Sequence, residues 1–446
     1  MAENWTKTLR QAFLSIGVIY GDIGTSPMYV FASTFEDKQI RHKDDILGVL
    51  SLIIYSLILV PMIKYVCIIL KANKNGDGGT MALYSLIYRY AEVANDQTKS
   101  HYGLSNDQLR RSPMIKEKSR TDKFILFLLS SLGTCLIIGY GVLNPCISVL
   151  SAVRGIRPLN KDAVVYISIC ILIILFVVQR FGTDKVGYSF ASAICLWFLL
   201  ISGIGLYNLF KHDVGVLRAF NPMYIIDYFK RNDEQGWVSL GGVVLCVTGT
   251  EAMFADLGQF NIPAVQISFS GVVFPSLLIA YVGQAAYISR FPDQIDNALI
   301  LRLHTNHYCQ SSYGIIIASQ AMVSTAFSTI SQFQSLSCFP RLKVVHTSAK
   351  HEGQVYIPVI NYFLMVACII VTYSFKMTEK IGNAYGIAVV AVMLITTCLV
   401  TLIMLLIWKT KIWWISLFFI VFMLVDIIYF SSVLYKITKG GYLLID

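Results

Sequence analysis

Charge is what this chain has least of. Of its 446 residues only 14% are Asp, Glu, Lys or Arg, while 56% are hydrophobic. A soluble globular chain carries about 25% charged residues, so the deficit places this one in the membrane class. Its mean hydropathy of +0.63 agrees. A formal net charge of +10 would suit nucleic acid. The basic residues are scattered between long uncharged runs, however, with no basic stripe interleaved with aromatics, and that partner is excluded. Cys-x-x-Cys is absent. Most of the ten cysteines lie in apolar runs, as Cys67, Cys170, Cys195 and Cys398 do, and read as small hydrophobes. No nucleophile–base pair and no metal-ligand spacing occurs, which argues against an enzyme and against a cofactor. A cleavable signal peptide is not expected, because the first apolar stretch begins near Gln11 and contains Asp22.

What the sequence does have is length without charge. A bilayer core needs about 20 apolar residues per helix. Runs free of Asp, Glu, Lys and Arg cover 124–153, 186–210, 257–289, 303–340, 353–375 and 381–408, with shorter ones at 46–63, 163–179 and 412–425. Two more spans are interrupted by carboxylates. The reading is an all-α polytopic membrane protein with spans near 11–34, 46–70, 124–151, 163–180, 187–210, 236–258, 267–289, 312–338, 355–374, 383–407 and 412–435. The transport domain is expected over 1–435. The polar segment 71–123 holds ten Lys/Arg, including Arg110, Arg111, Lys116, Lys118 and Arg120. It reads as a cytoplasmic loop by the positive-inside tendency, with the N-terminus cytoplasmic; a plain solvated linker is the alternative.

Two spans carry the chemistry. The first reads Gly21-Asp22-Ile23-Gly24-Thr25-Ser26-Pro27. Pro removes a backbone donor and Gly is flexible, so Gly21, Gly24, Thr25, Ser26 and Pro27 mark a helix break. Unwound backbone at that depth is tolerated only where it faces protein or a cavity, and its carbonyls are natural ligands for a dehydrated cation. The sixth span repeats the pattern with Gly241-Gly242 and then Thr248-Gly249-Thr250-Glu251. An ionisable group in the bilayer is expensive and is a functional hypothesis by default. Two inverted five-helix repeats would bring both breaks to one midplane site. Plainer readings stand beside this one: a kinked helix with an internally bonded Asp22, and a snorkelling or protonated Glu251.

At these residues the chain resembles the KUP/HAK/KT potassium uptake permeases. Gly17 to Pro27 is similar to their first-span signature, and Gly76-Asp77-Gly78-Gly79-Thr80-Met81-Ala82-Leu83 to their acidic Gly-Gly motif. Val247 to Ala252 with Ala255-Asp256 resembles the sixth-span motif. Pro340 to Ser348, continuing into Gly353 to Pro358, resembles the connection between eighth and ninth spans. Gly382-Asn383-Ala384-Tyr385-Gly386-Ile387-Ala388 resembles the tenth-span motif. The resemblance implies a LeuT/APC-like 5+5 inverted-repeat core with discontinuous first and sixth helices plus an eleventh helix. It also implies proton-linked potassium uptake through a site on the first, third and sixth spans, with potassium at Asp22, Tyr29, Thr248 and Glu251. The third span departs from the pattern. Gly139-Tyr140-Gly141-Val142-Leu143-Asn144-Pro145 puts Tyr140 in place of an acid and Asn144 in place of a threonine, and Arg154 stands where the family usually has Glu. The last residues, 436–446, read as the truncated start of a twelfth span.

The potassium-binding set expected is therefore Asp22, Tyr29, Asn144, Thr248, Glu251 and Tyr140, with backbone around Ile23–Ser26. Tyr140 either offers its phenolic oxygen or fills the space of the missing acid. Burial disfavours the charged form of a carboxylate and a nearby cation favours it, so one side chain can trade a proton for a metal ion. Glu251 is the first choice for that exchange and Asp22 for direct contact with the metal. Asp256 reads as a cap or pairing residue, and Asp426 as a packing or pairing residue of the eleventh span. His346, with Arg341, Lys343 and Lys350, reads as a connection that gates an inner vestibule or as a plain loop. The expected partners are potassium, protons and the lipid bilayer, with a second copy of the chain as a candidate. The expected location is a plasma membrane, bacterial by the short N-terminus. The competing functions are an amino-acid transporter of the same architecture and a non-transporting, potassium-sensing paralogue.

Overall fold

The computed structural model describes residues 2–35, 40, 42–74, 76–101, 113–154, 160–179, 183–292, 295, 308–336, 338–346, 355–376 and 378–440. Lys350 and residues 441–446 lie outside them. Helices overlie all eleven expected positions. Eight are long and apolar enough to cross a membrane, among the described residues, and Asp162–Val178 is a shorter apolar helix. Residues that bury their side chains run in one continuous cluster through the middle of the bundle, while Leu199, Phe210, Phe363, Trp413 and Ile420 on the outer faces stay exposed. That is the inside-out apolar surface a lipid environment permits.

The first span is not one helix. Ala2–Ile19 ends at Tyr20 (φ −98°, ψ 16°), a short helix covers Gly21–Thr25, a 3₁₀ turn covers Ser26–Met28, and Val30–Thr34 resumes after Tyr29 (φ −128°, ψ −11°). The sixth is divided likewise. Met223–Val243 tightens into a 3₁₀ turn, Val244–Val247. Thr248 is then extended (φ −60°, ψ 150°), Gly249 is left-handed (φ 86°), and Thr250–Ala255 follows. A left-handed residue stops an α-helix, and only Gly takes that conformation without steric penalty. The second span begins as Lys43–Leu57 and continues as a π-helix over Ile58–Ile68, which contains Pro61. Proline has no N–H for the α ladder, and a widened turn accommodates it.

The second piece of the first span and the first piece of the sixth touch through backbone. A Cβ placed on Gly242 would stand 2.5 Å from the Thr34 backbone, the close approach that small residues permit between membrane helices. The third span, Pro113–Arg154, packs against the eighth, Tyr308–Ser335, and the tenth, Thr378–Leu406. The eleventh, Ile412–Gly440, packs against the tenth and against Met223–Val243.

One expectation needs correcting. The polar segment 71–123 is not a loop throughout. It holds a helix, Thr80–His101, and the third helix begins at Pro113 rather than near 124. Met81, Leu83 and Ile87 of that first helix are buried, and Leu83 and Ile87 share a face at i, i+4 spacing. A search keyed to bilayer-length apolar runs passes over such an amphipathic helix. The connection after the eighth span carries a two-residue antiparallel ladder, Val345–His346 with Val355–Tyr356.

Candidate ion site at the breaks of the first and sixth spans

Five acidic side chains are buried among the described residues: Asp22, Asp45, Glu251, Asp256 and Asp426. A buried carboxylate must find a cation, a set of donors or a proton. Asp45 pairs with Arg231 at 3.0 Å. Asp426 pairs with the fully buried Lys64 at 2.7 Å and accepts from Thr397 Oγ1 at 2.7 Å. The other three belong to the two broken spans, and none of them has an ion pair among the described residues. The separation is informative: the buried acids outside the two broken spans are paired with a cation, and those on the broken spans are not, among the described residues.

Asp22 lies at the first break. Its Oδ2 accepts the hydroxyl of Tyr385 from the tenth span, and its Oδ1 is buried without a partner among the described residues. Gly249 of the sixth span faces it, so closely that an added Cβ would sit 3.0 Å from Oδ2. Three hydroxyls close the group. Ser26 Oγ lies 3.2 Å from Thr248 Oγ1 and 3.4 Å from the Tyr29 hydroxyl. Thr248 donates its proton to Leu245 O at 2.8 Å and Ser26 donates to Asp22 O at 3.3 Å. A hydroxyl that spends its proton on backbone keeps its lone pairs for other contacts. Asp22, Ser26, Tyr29 and Thr248 thus present oxygen, and no positive charge, at the junction of both breaks.

The backbone contributes less than the broken helix suggested. Gly24 O accepts the indole N–H of Trp197 at 2.8 Å, Ser26 O accepts the Tyr29 N–H at 3.1 Å, and Pro27 O accepts Gln284 Nε2 at 2.6 Å. Two side chains and one backbone N–H thus satisfy carbonyls that the break releases, as buried carbonyls require. The ligands on offer are therefore side-chain oxygens more than carbonyls.

Glu251 stands apart from Asp22. Its Oε1 accepts the Tyr65 hydroxyl from the second span, and Oε2 has no hydrogen-bond partner among the described residues. Thr396 lies beside it, with Lys64 and Asp426 in electrostatic reach. Both acids thus lean on the tenth span, Asp22 at Tyr385 and Glu251 at Thr396. Those anchors are eleven residues apart, about 16 Å of helix rise. The two carboxylates do not share a hydrogen-bonded group. Tyr140 lies within electrostatic reach of both and of Asp256. Its ring packs edge-on against Tyr385 with centroids 6.0 Å apart, and its buried hydroxyl has no partner among the described residues. Space filling alone does not describe it. Asn144 turns its oxygen to Ser148 Oγ of its own helix at 3.1 Å, outside the Asp22 group. Arg154 is exposed at the end of the third span and bonds Thr378 Oγ1 at 2.7 Å, remote from the breaks.

Comparison with known proteins decides the family. The profile described as the K+ potassium transporter integral membrane domain matches residues 9–445. The chain belongs to the potassium transporter family. Among its relatives, "Potassium transporter 5" of Manihot esculenta is 63% identical over 99% of this chain and 56% of its own length. The protein of the same name in Arabidopsis thaliana is 58% identical over 99% of this chain and 58% of its own. That of Oryza sativa subsp. japonica is 57% identical over 98% and 59%. The chain therefore spans somewhat more than half the length of these potassium transporters. All three are plant proteins, which overturns the expectation of a bacterial source. The length of an N-terminus before the first span reports nothing about the organism.

Sequence reasoning missed Tyr65, Tyr385 and Lys64. A tyrosine in an apolar run carries no signal of what its hydroxyl will meet. Lys64 did carry one, since it ends the uncharged run 46–63 within a span, and a lone lysine there calls for a buried acid.

Proposed function

We propose that this chain carries potassium ions across the plasma membrane by alternating access, in symport with protons, on a LeuT/APC-like core of two inverted five-helix repeats. The observation that carries the reading is the Asp22 carboxylate, without an ion pair among the described residues and with Oδ1 open, joined by the oxygens of Ser26, Tyr29 and Thr248 where two broken helices face each other. A dehydrated monovalent cation needs a ring of oxygens to replace its water, and a net negative site to offset its charge. The names of the relatives support potassium as the cargo. An amino-acid substrate is disfavoured, because its carboxylate would meet Asp22 where that architecture places backbone donors.

Expression in cells lacking their own potassium uptake tests this. Growth on low potassium and uptake of rubidium are the expected results. Amino-acid uptake without rescue, or silence with the protein present in the membrane, defeats the reading.

Glu251 is the group assigned to the proton. It is buried, holds the Tyr65 hydroxyl on one oxygen and has no ion pair among the described residues. The charged and titratable groups around it are Tyr65 and Lys64 on the second span, Tyr140 on the third and Asp426 on the eleventh. A proton symporter takes up more cation as the outside becomes more acidic. Glu251→Gln keeps the hydrogen bond to Tyr65 and removes the titration, so uptake by this variant is expected to be flat between roughly pH 5 and 8, where that of the wild type rises as the pH falls. A variant that retains the full pH response takes Glu251 out of the coupling.

A further inference from the structure

Asp256 is the third buried acid without an ion pair, and the Asp22 group does not use it. It sits at the end of the sixth span, in the 3₁₀ turn Asp256–Gln259. Its Oδ1 accepts Gln259 Nε2 at 3.0 Å, and its Oδ2 accepts the hydroxyl of Thr325 from the eighth span. The same Gln259 nitrogen reaches Ser328 Oγ at 2.9 Å. Capping or pairing accounts for these contacts, but not for what they leave over. Gln259 is 5% exposed and its carbonyl oxygen, Oε1, has no donor among the described residues; Thr329 is 3% exposed and its hydroxyl has no partner among them. The Gln259 acceptor beside a carboxylate that has no ion pair among the described residues, with the Thr329 hydroxyl one helical turn from Thr325, offers oxygens and no positive charge, which is the chemistry of a cation.

Its placement matters as much as its chemistry. Thr325, Ser328, Thr329 and Gln332 fall at i, i+3, i+4 and i+7 and therefore share one face of the eighth helix. That face leads from Asp256 to the Gly76–Gly79 turn. A Cβ on Gly79 would be 3.6 Å from Gln332 Oε1, one on Gly78 only 2.0 Å from Phe254 O, and one on Gly258 2.4 Å from Asp77 Oδ1. The turn is thus seated directly on the end of the sixth span. Burial falls along the way: Asp256, Thr325, Ser328 and Thr329 are buried, Gln332 is half-buried and Asp77 is exposed. A line of oxygen-bearing side chains runs from the bundle interior to water on the side of the polar segment 71–123.

We propose that Asp256, Gln259 and the hydroxyl face of the eighth span form a second station for a dehydrated monovalent cation, between the Asp22 group and the Gly78–Gly79 turn. This rests on the transport reading above. The Asp22 group takes the ion at the breaks; the Asp256 station holds it on the way to the polar-segment side. The oxygens are those of the Asp256 carboxylate, Gln259 Oε1 and the hydroxyls of Ser328 and Thr329. The Gly-Gly turn, which no larger residue fits, closes the end.

Rubidium flux through the full chain, measured in intact cells and in everted membrane vesicles, reads half-saturation from the two faces. Asp256→Asn is expected to raise the half-saturating concentration from the polar-segment face by about 10-fold or more, with less than about 2-fold change from the other face. Gln259→Met removes that oxygen together with the amide N–H groups on Asp256 and Ser328 at similar volume, and should shift the same face by a smaller factor. If Asp256→Asn does not reach the membrane, Gln259→Met and Ser328→Ala carry the test alone. Equal shifts from both faces, or none, overturn the station while wild-type flux leaves the Asp22 reading intact. Absence of wild-type rubidium flux overturns both.

Discussion

Asp22→Asn should lower rubidium uptake by two to three orders of magnitude at limiting substrate. The substitution keeps the size of the side chain and an acceptor for the Tyr385 hydroxyl, so it removes charge and little else. Two unit charges about 4 Å apart interact by about 4 kcal/mol at an effective dielectric of about 20, and each ~1.4 kcal/mol is a factor of ten. No lysine or arginine pairs with Asp22 among the described residues, so no second charge takes over the loss. Tyr385→Phe is the companion measurement. It removes a hydrogen bond to a charged group, a contribution of about 1.5–3 kcal/mol, and should reduce uptake by roughly 10-fold to 100-fold, always less than Asp22→Asn. Uptake within about 3-fold of wild type in Asp22→Asn, with equal protein in the membrane, would mean that the ion is held elsewhere. The order of the two variants is itself diagnostic. A break that served only to bend the helix would respond more to loss of the Tyr385 strut than to loss of charge.

The reach of the sequence can be seen at these same residues. Asp22 and Glu251 stood out because glycine and a carboxylate, with Pro27 beside the first, rarely share a bilayer-length apolar run, and the covalent chain alone states that conflict. The breaks in the first and sixth helices follow from it. What the chain does not state is which side of a helix each acid faces. Thr248 and Glu251 share a face of an ideal helix, yet the extended Thr248 and left-handed Gly249 fall between the helical pieces. Thr248 turns to Ser26 and Glu251 to Tyr65. The i, i+3 rule fails wherever the helix it assumes has stopped. Asn144 shows a second limit. Its spacing from Tyr140 is helical and the helix is intact, but Ser148 one turn on claims its oxygen. Asp256 shows a third. Its depth comes from Thr325 and Gln259 closing over it, and no local pattern announces a contact across 69 residues.

The Lys64–Asp426 pair yields the largest expected effect on stability. Both side chains are wholly buried and the ion pair measures 2.7 Å. Lys64 also lies 5.6 Å from the Tyr65 ring centroid and 5.9 Å from that of Phe422. Cys398, Tyr429 and Thr397 complete the surroundings of Asp426. Removing one partner of such a pair leaves a charge with nothing to balance it, at a cost of about 3–5 kcal/mol, whereas replacing both by apolar groups of similar volume is often neutral or stabilising. Asp426→Leu is therefore expected to lower the melting midpoint of the detergent-solubilised chain sharply, and Lys64→Met/Asp426→Leu to restore most of it. The pair joins the second span to the eleventh, and Lys64 is the chain neighbour of Tyr65, whose hydroxyl holds Glu251. If the pair only holds the eleventh helix in place, the double variant will take up rubidium with the wild-type pH response once stability returns. If its charges also act on Glu251, stability will return and the pH response will not. Equal instability of the single and double variants would assign the loss to packing volume, and the ion pair would then have no separate part in the fold.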